Sequence, residues 1–196
     1  KDKFEKLGKL IERSKYRDNS DNQKQTEEVI QLPEDYKPLW LERKTPDYRN
    51  AIYYLQKRGI NIFDIIRYRI GYSESGPYSG KIIIPSYDCT GQLNYFVSRA
   101  FYENDPYKHK NPKISKDIIG FDMLINWNEP IILCEGAFDA ITIKRNAIPL
   151  FGKMINPKLR IKIIEEGVKE IYICLDQDAL INAKHIAQTF LREGIQ

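Results

Sequence analysis

The 196-residue chain is poor in sulfur and carries no long apolar run. Its three cysteines, Cys89, Cys134 and Cys174, lie far apart, with no Cys-x-x-Cys and no Cys/His zinc spacing, so neither a disulfide framework nor a zinc finger fits. Cys134 and Cys174 fall in strand-like apolar runs, where free cysteine behaves as a small apolar residue. A reducing, intracellular compartment is the consistent reading, and we expect a cytoplasmic protein. No apolar stretch approaches the roughly 20 residues of a membrane-spanning helix. The first residues, Lys1 to Glu12, are charged and lack a secretory apolar core. Internal repeats are also missing.

What is present is charge, unevenly spread. The formal net charge is only +4, yet residues 43–116 hold thirteen Lys/Arg against six Asp/Glu, whereas residues 126–196 hold nine of each. A basic first half suits a polyanionic partner. A solvated lysine-rich surface explains the charge alone more simply, so charge decides nothing by itself.

Residues 1–35 read as a tether. Phe4, Leu7, Leu10 and Ile11 have helical spacing, but Ser14–Glu28 is nearly devoid of apolar side chains. Residues 36–125 read as a small, basic α+β unit. Thr45-Pro46 is a helix start, with Ala51, Ile52, Tyr54 and Leu55 on one face and Gly59 as the stop. Asn61 caps a second helix through Ile65 and Ile66. Lys81–Pro85 and Leu93–Arg99 flank the turn Asp88-Cys89-Thr90-Gly91 and predict a hairpin. From residue 126 to 196 strands and helices alternate: strands at Ile131–Cys134, Ile148–Phe151 and Ile171–Leu175, helices at Ala137–Arg145, Pro157–Glu166 and Ala179–Arg192. Such alternation predicts a parallel sheet flanked by helices. Gly194-Ile195-Gln196 reads as the start of a further strand, as if the sheet were truncated.

Two acidic clusters stand at the carboxyl ends of these strands: Glu135-Gly136-Ala137-Phe138-Asp139 after the first, and Asp176-Gln177-Asp178 after the last. Open α/β sheets place their ligands there. One strand–loop–helix unit fits between the clusters, so both can project into one crevice. Three carboxylates gathered there would repel one another and take up protons unless a cation intervened. Their oxygens suit Mg²⁺ or Mn²⁺. Either cluster alone is equally well explained as helix-start capping; both together, in a strand–helix–strand frame, are not.

Glu135-Gly-x-x-Asp139 followed by Asp176-x-Asp178 resembles the TOPRIM signature of primases, topoisomerases and some nucleases. Upstream, Tyr54-Leu-Gln-Lys-Arg-Gly-Ile60, Arg69-Ile-Gly-Tyr72, Lys81-Ile-Ile-Ile-Pro85, Gly91-Gln-Leu93, Ser98-Arg99 and Tyr107-Lys-His-Lys-Asn-Pro112 follow the order of the RNA-polymerase core of DnaG-type primases from bacteria and phages. The resemblance covers residues 48–196. It implies a TOPRIM-like parallel sheet preceded by the basic subdomain, and RNA primer synthesis on single-stranded DNA from nucleoside triphosphates, by a chain working beside a replicative helicase. It implies that Glu135, Asp176 and Asp178 bind two or more catalytic Mg²⁺ or Mn²⁺ ions, with Gly136 and Asp139 supporting Glu135. It implies that Lys81 (where an arginine is usual), Arg99 and Lys108 contact template and triphosphate, with Lys110 and Lys116 as weaker matches.

Three departures bear on this. Ala179-Leu180-Ile181 replaces the small, glycine-containing helix start usual after the second acidic motif. The family's later acidic element and its N-terminal zinc-binding module have no counterpart in the sequence. A truncated catalytic core, or part of a primase–helicase, accounts for both. The alternatives are a catalytically weak, DNA-binding primase-like module and a TOPRIM nuclease. Lys153, after the middle strand, could contact a phosphate, but a plain β–α turn is the simpler explanation. His109 is read either as a phosphate contact or as a bystander, and His185 as a surface residue. Tyr95, Phe96, Phe101, Tyr102 and Tyr107 are read as core in the main, with base stacking as the alternative.

Overall fold

The structure, a computed structural model, describes residues 30–196. The expected helical turns of Phe4–Ile11 and most of the tether lie outside the described residues.

Residues 36–100 build an antiparallel sheet of order β1-β2-β3-β4, with β1 Tyr36–Pro38, β2 Gly71–Ser73, β3 Lys81–Tyr87 and β4 Leu93–Ala100. Gly71 permits the close approach of β1: a Cβ there would lie 2.2 Å from the Tyr36 ring. β3 and β4 form the predicted hairpin, in which Asp88 accepts the Thr90 and Gln92 N–H groups and Gly91 takes φ +84°. Helices α1 (Pro46–Lys57) and α2 (Ile62–Arg67) lie between β1 and β2. Thr45 caps α1 by accepting the Tyr48 N–H. Asn61 caps α2 in a box with Asp64, whose carboxylate receives the Asn61 N–H.

The second half is a three-stranded parallel sheet of order β6-β5-β7, with β5 Ile131–Cys134, β6 Ala147–Pro149 and β7 Ile171–Cys174. Helices α3 (Ala137–Ile143), α4 (Pro157–Glu165) and α5 (Leu180–Arg192) connect and cover it. Gln196 exchanges backbone hydrogen bonds with Lys169 and Ile171 beside β7, where the further strand was expected to begin. The fold is therefore mixed α/β, a parallel sheet flanked by helices and preceded by an antiparallel unit.

Two cores hold the molecule together. Leu133, Ile148, Leu159, Ile163, Ile186 and Phe190 join the parallel sheet to α4 and α5. Leu55, Tyr72, Ile82 and Ile84 of the first half pack with Cys134, Ala137, Ala140 and Ile141 of the second. The boundary expected near residue 125 is thus crossed by a shared core.

Two strand expectations shift. The middle strand stops at Pro149 and not at Phe151, because Phe151 turns into the left-handed region at φ +51° and swings its ring toward Tyr95, 4.9 Å away between centroids. Cys174 is exposed, unlike Cys134. On the face that carries Cys134, α3 packs over β6 and β5, leaving Tyr172 and Cys174 of β7 uncovered.

Candidate metal centre and nucleic-acid face

Glu135 ends β5 and precedes α3; Asp176 and Asp178 follow β7 and open the turn before α5. Because β5 and β7 are neighbours in register, Cys134 beside Cys174, the two acidic loops leave the sheet side by side. One carboxylate oxygen from each of Glu135, Asp176 and Asp178 lies within 4.8 Å of the others. Asp176 and Asp178 are exposed, whereas Glu135 is half-buried and its Oε2 is buried without a hydrogen-bond partner. A buried carboxylate oxygen left unpaired is costly. Burial pushes the Glu135 carboxyl above the ordinary range; Lys153 opposes this, while Asp176, Asp178 and Asp139 add to it. An orphaned acceptor in an all-oxygen set of this size fits a hard divalent cation.

Asp139 does not join the trio. Its carboxylate accepts the Gly136 N–H at 2.9 Å and so fixes the first turn of α3 directly after Glu135. Lys153 does reach the trio, in an ion pair with Asp178. The sequence alone favours a plain β–α turn here over a phosphate contact, and gives no sign of the ion pair.

Glu135 and Asp176 of the trio line a cleft of about 460 Å³, in which Gly136 and Asp139 also take part; Asp178 stands outside its lining. Arg58, Arg99 and His109 line the same cleft, with Val97, Phe138 and Phe151. Arg99 and His109 meet through a backbone bridge and through their side chains. Burial holds the His109 imidazole below its usual pKa, and the charges of Arg99, Arg58 and Lys81 lower it further. Neutral His109 can therefore accept from the Arg99 guanidinium. Arg58 was not singled out from sequence. Its guanidinium lies 4.8 Å from the ring centroids of both Tyr54 and Phe138, which tie it to α1 and α3 at once. The legible signal was its place at the C-terminus of an amphipathic helix, just before Gly59.

The other basic residues do not all converge. Lys108 lines an adjoining groove of about 290 Å³ with Arg58, Arg99 and Tyr102. Lys110 lies 5.5 Å from the Tyr78 ring centroid. Lys116 donates to the Phe151 carbonyl at 2.9 Å and so ties the 101–120 segment to the loop after β6. Lys81 is only 4 % exposed, and its ammonium is engaged by Asp105 and by the Tyr107 carbonyl. It organises the 102–108 loop from beneath and does not line the cleft. Of the aromatics, Tyr95, Phe96 and Phe101 are buried, while Tyr102 and Tyr107 are exposed. His185 is exposed on α5. Leu180 and Ile181 are 58 % and 84 % exposed at the start of α5 beside Asp178, where the family resemblance implies small residues.

An antiparallel unit joined through a shared core to a parallel sheet is also the fold of solved primases. The zinc-binding and RNA polymerase domains of the Aquifex aeolicus primase superpose with a TM-score of 0.63 at 19 % identity, covering 75 % of this chain and 48 % of that one. A DNA primase domain from Pseudomonas aeruginosa gives 0.60 at 18 %, covering 76 % and 61 %. A DnaG primase catalytic domain bound to single-stranded DNA gives 0.58 at 18 %, covering 74 % and 60 %. The chain has the fold of a DnaG-type primase catalytic core. It spans about half the length of the Aquifex chain and about three fifths of the other two. Among curated sequences it is similar to the uncharacterized protein MG010 of Mycoplasma genitalium, 26 % identical over 159 residues (75 % of this chain, 72 % of that protein). The Mycoplasma pneumoniae homolog is 28 % identical over 148 residues, covering 71 % and 69 %. No protein-family model matches the chain. Within the primase-core fold, the cleft that Arg58 and Arg99 share with Glu135 and Asp176 lies where the two halves meet. No helix among the described residues is long and apolar enough to cross a membrane.

Proposed function

We propose that the chain is a primase catalytic core that joins ribonucleotides on a single-stranded DNA template. The observation that carries this reading is the trio of carboxylates, with its orphaned Glu135 oxygen, at a cleft that Glu135 and Asp176 share with Arg58 and Arg99. Glu135, Asp176 and Asp178 would hold Mg²⁺ or Mn²⁺. When bound, such ions supply charge neutralisation and Lewis acidity at the attacking and leaving oxygens of a phosphoryl transfer. The protein's own contribution is positional. Arg99, steadied by His109, offers a planar donor to a phosphate entering the cleft. Arg58 offers a second donor, held between two rings. Lys108 and exposed Tyr102 in the adjoining groove suit a template backbone and a stacked base. Lys81, Lys110 and Lys116 act through the loops they tether. The partners are thus single-stranded DNA and nucleoside triphosphates, with a replicative helicase implied by the family resemblance and a cytoplasmic setting by the replication role.

The exposed Leu180 and Ile181 beside Asp178 favour a second reading, a primase-like module that binds DNA without efficient synthesis. Incubating the chain with single-stranded templates, labelled nucleoside triphosphates and Mg²⁺ or Mn²⁺ separates the possibilities. Template-dependent primers support the catalytic reading. A mobility shift without product supports the binding module, and shortened DNA supports a TOPRIM nuclease.

A further inference from the structure

Lys153 stands where nothing in the proposed chemistry requires it, in direct contact with a carboxylate that the metal centre needs. Its position is well determined by the backbone. The Gly152 N–H donates to the Glu135 carbonyl at 3.3 Å, and Lys116 holds the Phe151 carbonyl from the far side. The Phe151 ring is fixed against Tyr95 and Phe121, and its left-handed backbone turns the chain back toward the trio. The loop after β6 therefore delivers a cation to the mouth formed by the loops after β5 and β7.

Resting on the metal-dependent reading above, we propose that Lys153 is the resident counter-ion of the carboxylate trio, displaced by the divalent ion and then free to pair with the nucleotide's polyphosphate. Without a cation the three carboxylates repel one another, and Lys153 relieves that repulsion from within the chain. The pair is open to water, with side-chain exposures of 38 % for Lys153 and 72 % for Asp178. Such a pair is weak and readily exchanged. A doubly charged ion among three oxygens outcompetes one ammonium on a single oxygen. Once released, the ammonium remains on a short loop beside the cleft, where a strongly anionic group is the natural partner.

The exchange predicts opposite effects on two ligands. Mn²⁺ binding to the full chain without nucleotide, measured by calorimetry, should tighten about three- to fivefold in Lys153→Met, because the competitor is gone. Binding of a nucleoside triphosphate in the presence of Ca²⁺ should weaken about tenfold in the same variant. Lys153→Arg, which keeps the charge, should behave as the wild type in the first measurement. Unchanged or weaker Mn²⁺ binding by Lys153→Met overturns the proposal, as does unchanged triphosphate binding. Failure of the underlying reading looks different: the wild type would then bind no Mn²⁺, or Asp176→Asn would bind it as well as the wild type does.

Discussion

The two halves of the molecule treat their charges in opposite ways. In the antiparallel sheet two groups of partly buried charges are mutually satisfied. Lys37 pairs with Asp35 and Glu74, and Glu74 also accepts from the hydroxyls of Thr45 and Tyr72. Lys81 is buried against Asp105. At the mouth of the parallel sheet three carboxylates gather with one ammonium among them, and the Glu135 Oε2 is left unpartnered, as Asp122 Oδ1 is near the junction of the halves. A closed network adds stability and register, whereas an open one spends stability to keep a place for a ligand. The same residue types therefore mean different things according to whether the surrounding fold completes their coordination.

The most forceful way to test the contrast is to remove one open charge. On the proposed reading, Asp176→Ala should lower primer synthesis by about a hundredfold or more, since it would remove a metal ligand. Binding of single-stranded DNA in a mobility-shift titration should stay within about twofold, because the proposed template contacts come from basic residues and not from the trio. Thermal stability without metal should rise slightly, as one repelling carboxylate is gone.

Removing a closed charge should do the reverse. Lys81→Met should lower folding stability in a urea titration, because Asp105 and the Tyr107 carbonyl lose their shared donor. The salt slope of DNA binding should hardly change. A large fall in that slope would put Lys81 in direct contact with phosphate.

The Glu74 network sharpens the comparison through pH. Hydrogen bonds from Lys37 and then Thr45 hold the Glu74 carboxyl at about 2, against an ordinary 4.5. The folded protein thus binds fewer protons here than the unfolded chain between those values. The stabilisation is full above about pH 4.5 and is lost as pH falls toward 2. It amounts to about 2 kcal/mol after discounting for solvent screening. Glu74→Gln should be less stable than the wild type at neutral pH and should lose less on acidification. Melting curves from pH 7 down to pH 3 measure the convergence.

How much of this could be read from the sequence follows the same division. The hairpin, both caps of the first half and the three strand–helix units rest on local chemistry: Thr45-Pro46, Asn61 with Asp64, and Asp88 through Gly91. The acidic trio was legible because strand ends in a parallel sheet have a fixed meaning. What stayed hidden depends on contacts between distant segments. The Lys81–Asp105 pair spans a loop whose path no local signal sets. Arg58 gains its place from Phe138, eighty residues on, and Lys153 gains its place from the backbone of Glu135 and the ring of Phe151. The exposure of Cys174 depends on how far α3 reaches across the sheet, which strand periodicity does not reveal.

Arg99 offers the finest version of the comparison, because it lies on β4 within the closed half yet faces the open cleft. Its neighbour on the pleat, Ser98, is buried and fixed by Asn111 and by the Lys110 carbonyl, so the backbone that carries Arg99 is rigid. Arg99→Ala should therefore leave folding nearly intact while removing one phosphate contact. Affinity for a single-stranded template should fall about three- to tenfold near physiological salt, and the log–log salt slope should decrease by about 0.7. Lys81→Met, on the neighbouring strand β3 opposite Ala100, should show the converse, lost stability with the slope preserved. Should both variants lower the slope equally, the closed network would itself be part of the nucleic-acid face, and the division between satisfied and open charge would fail at this strand.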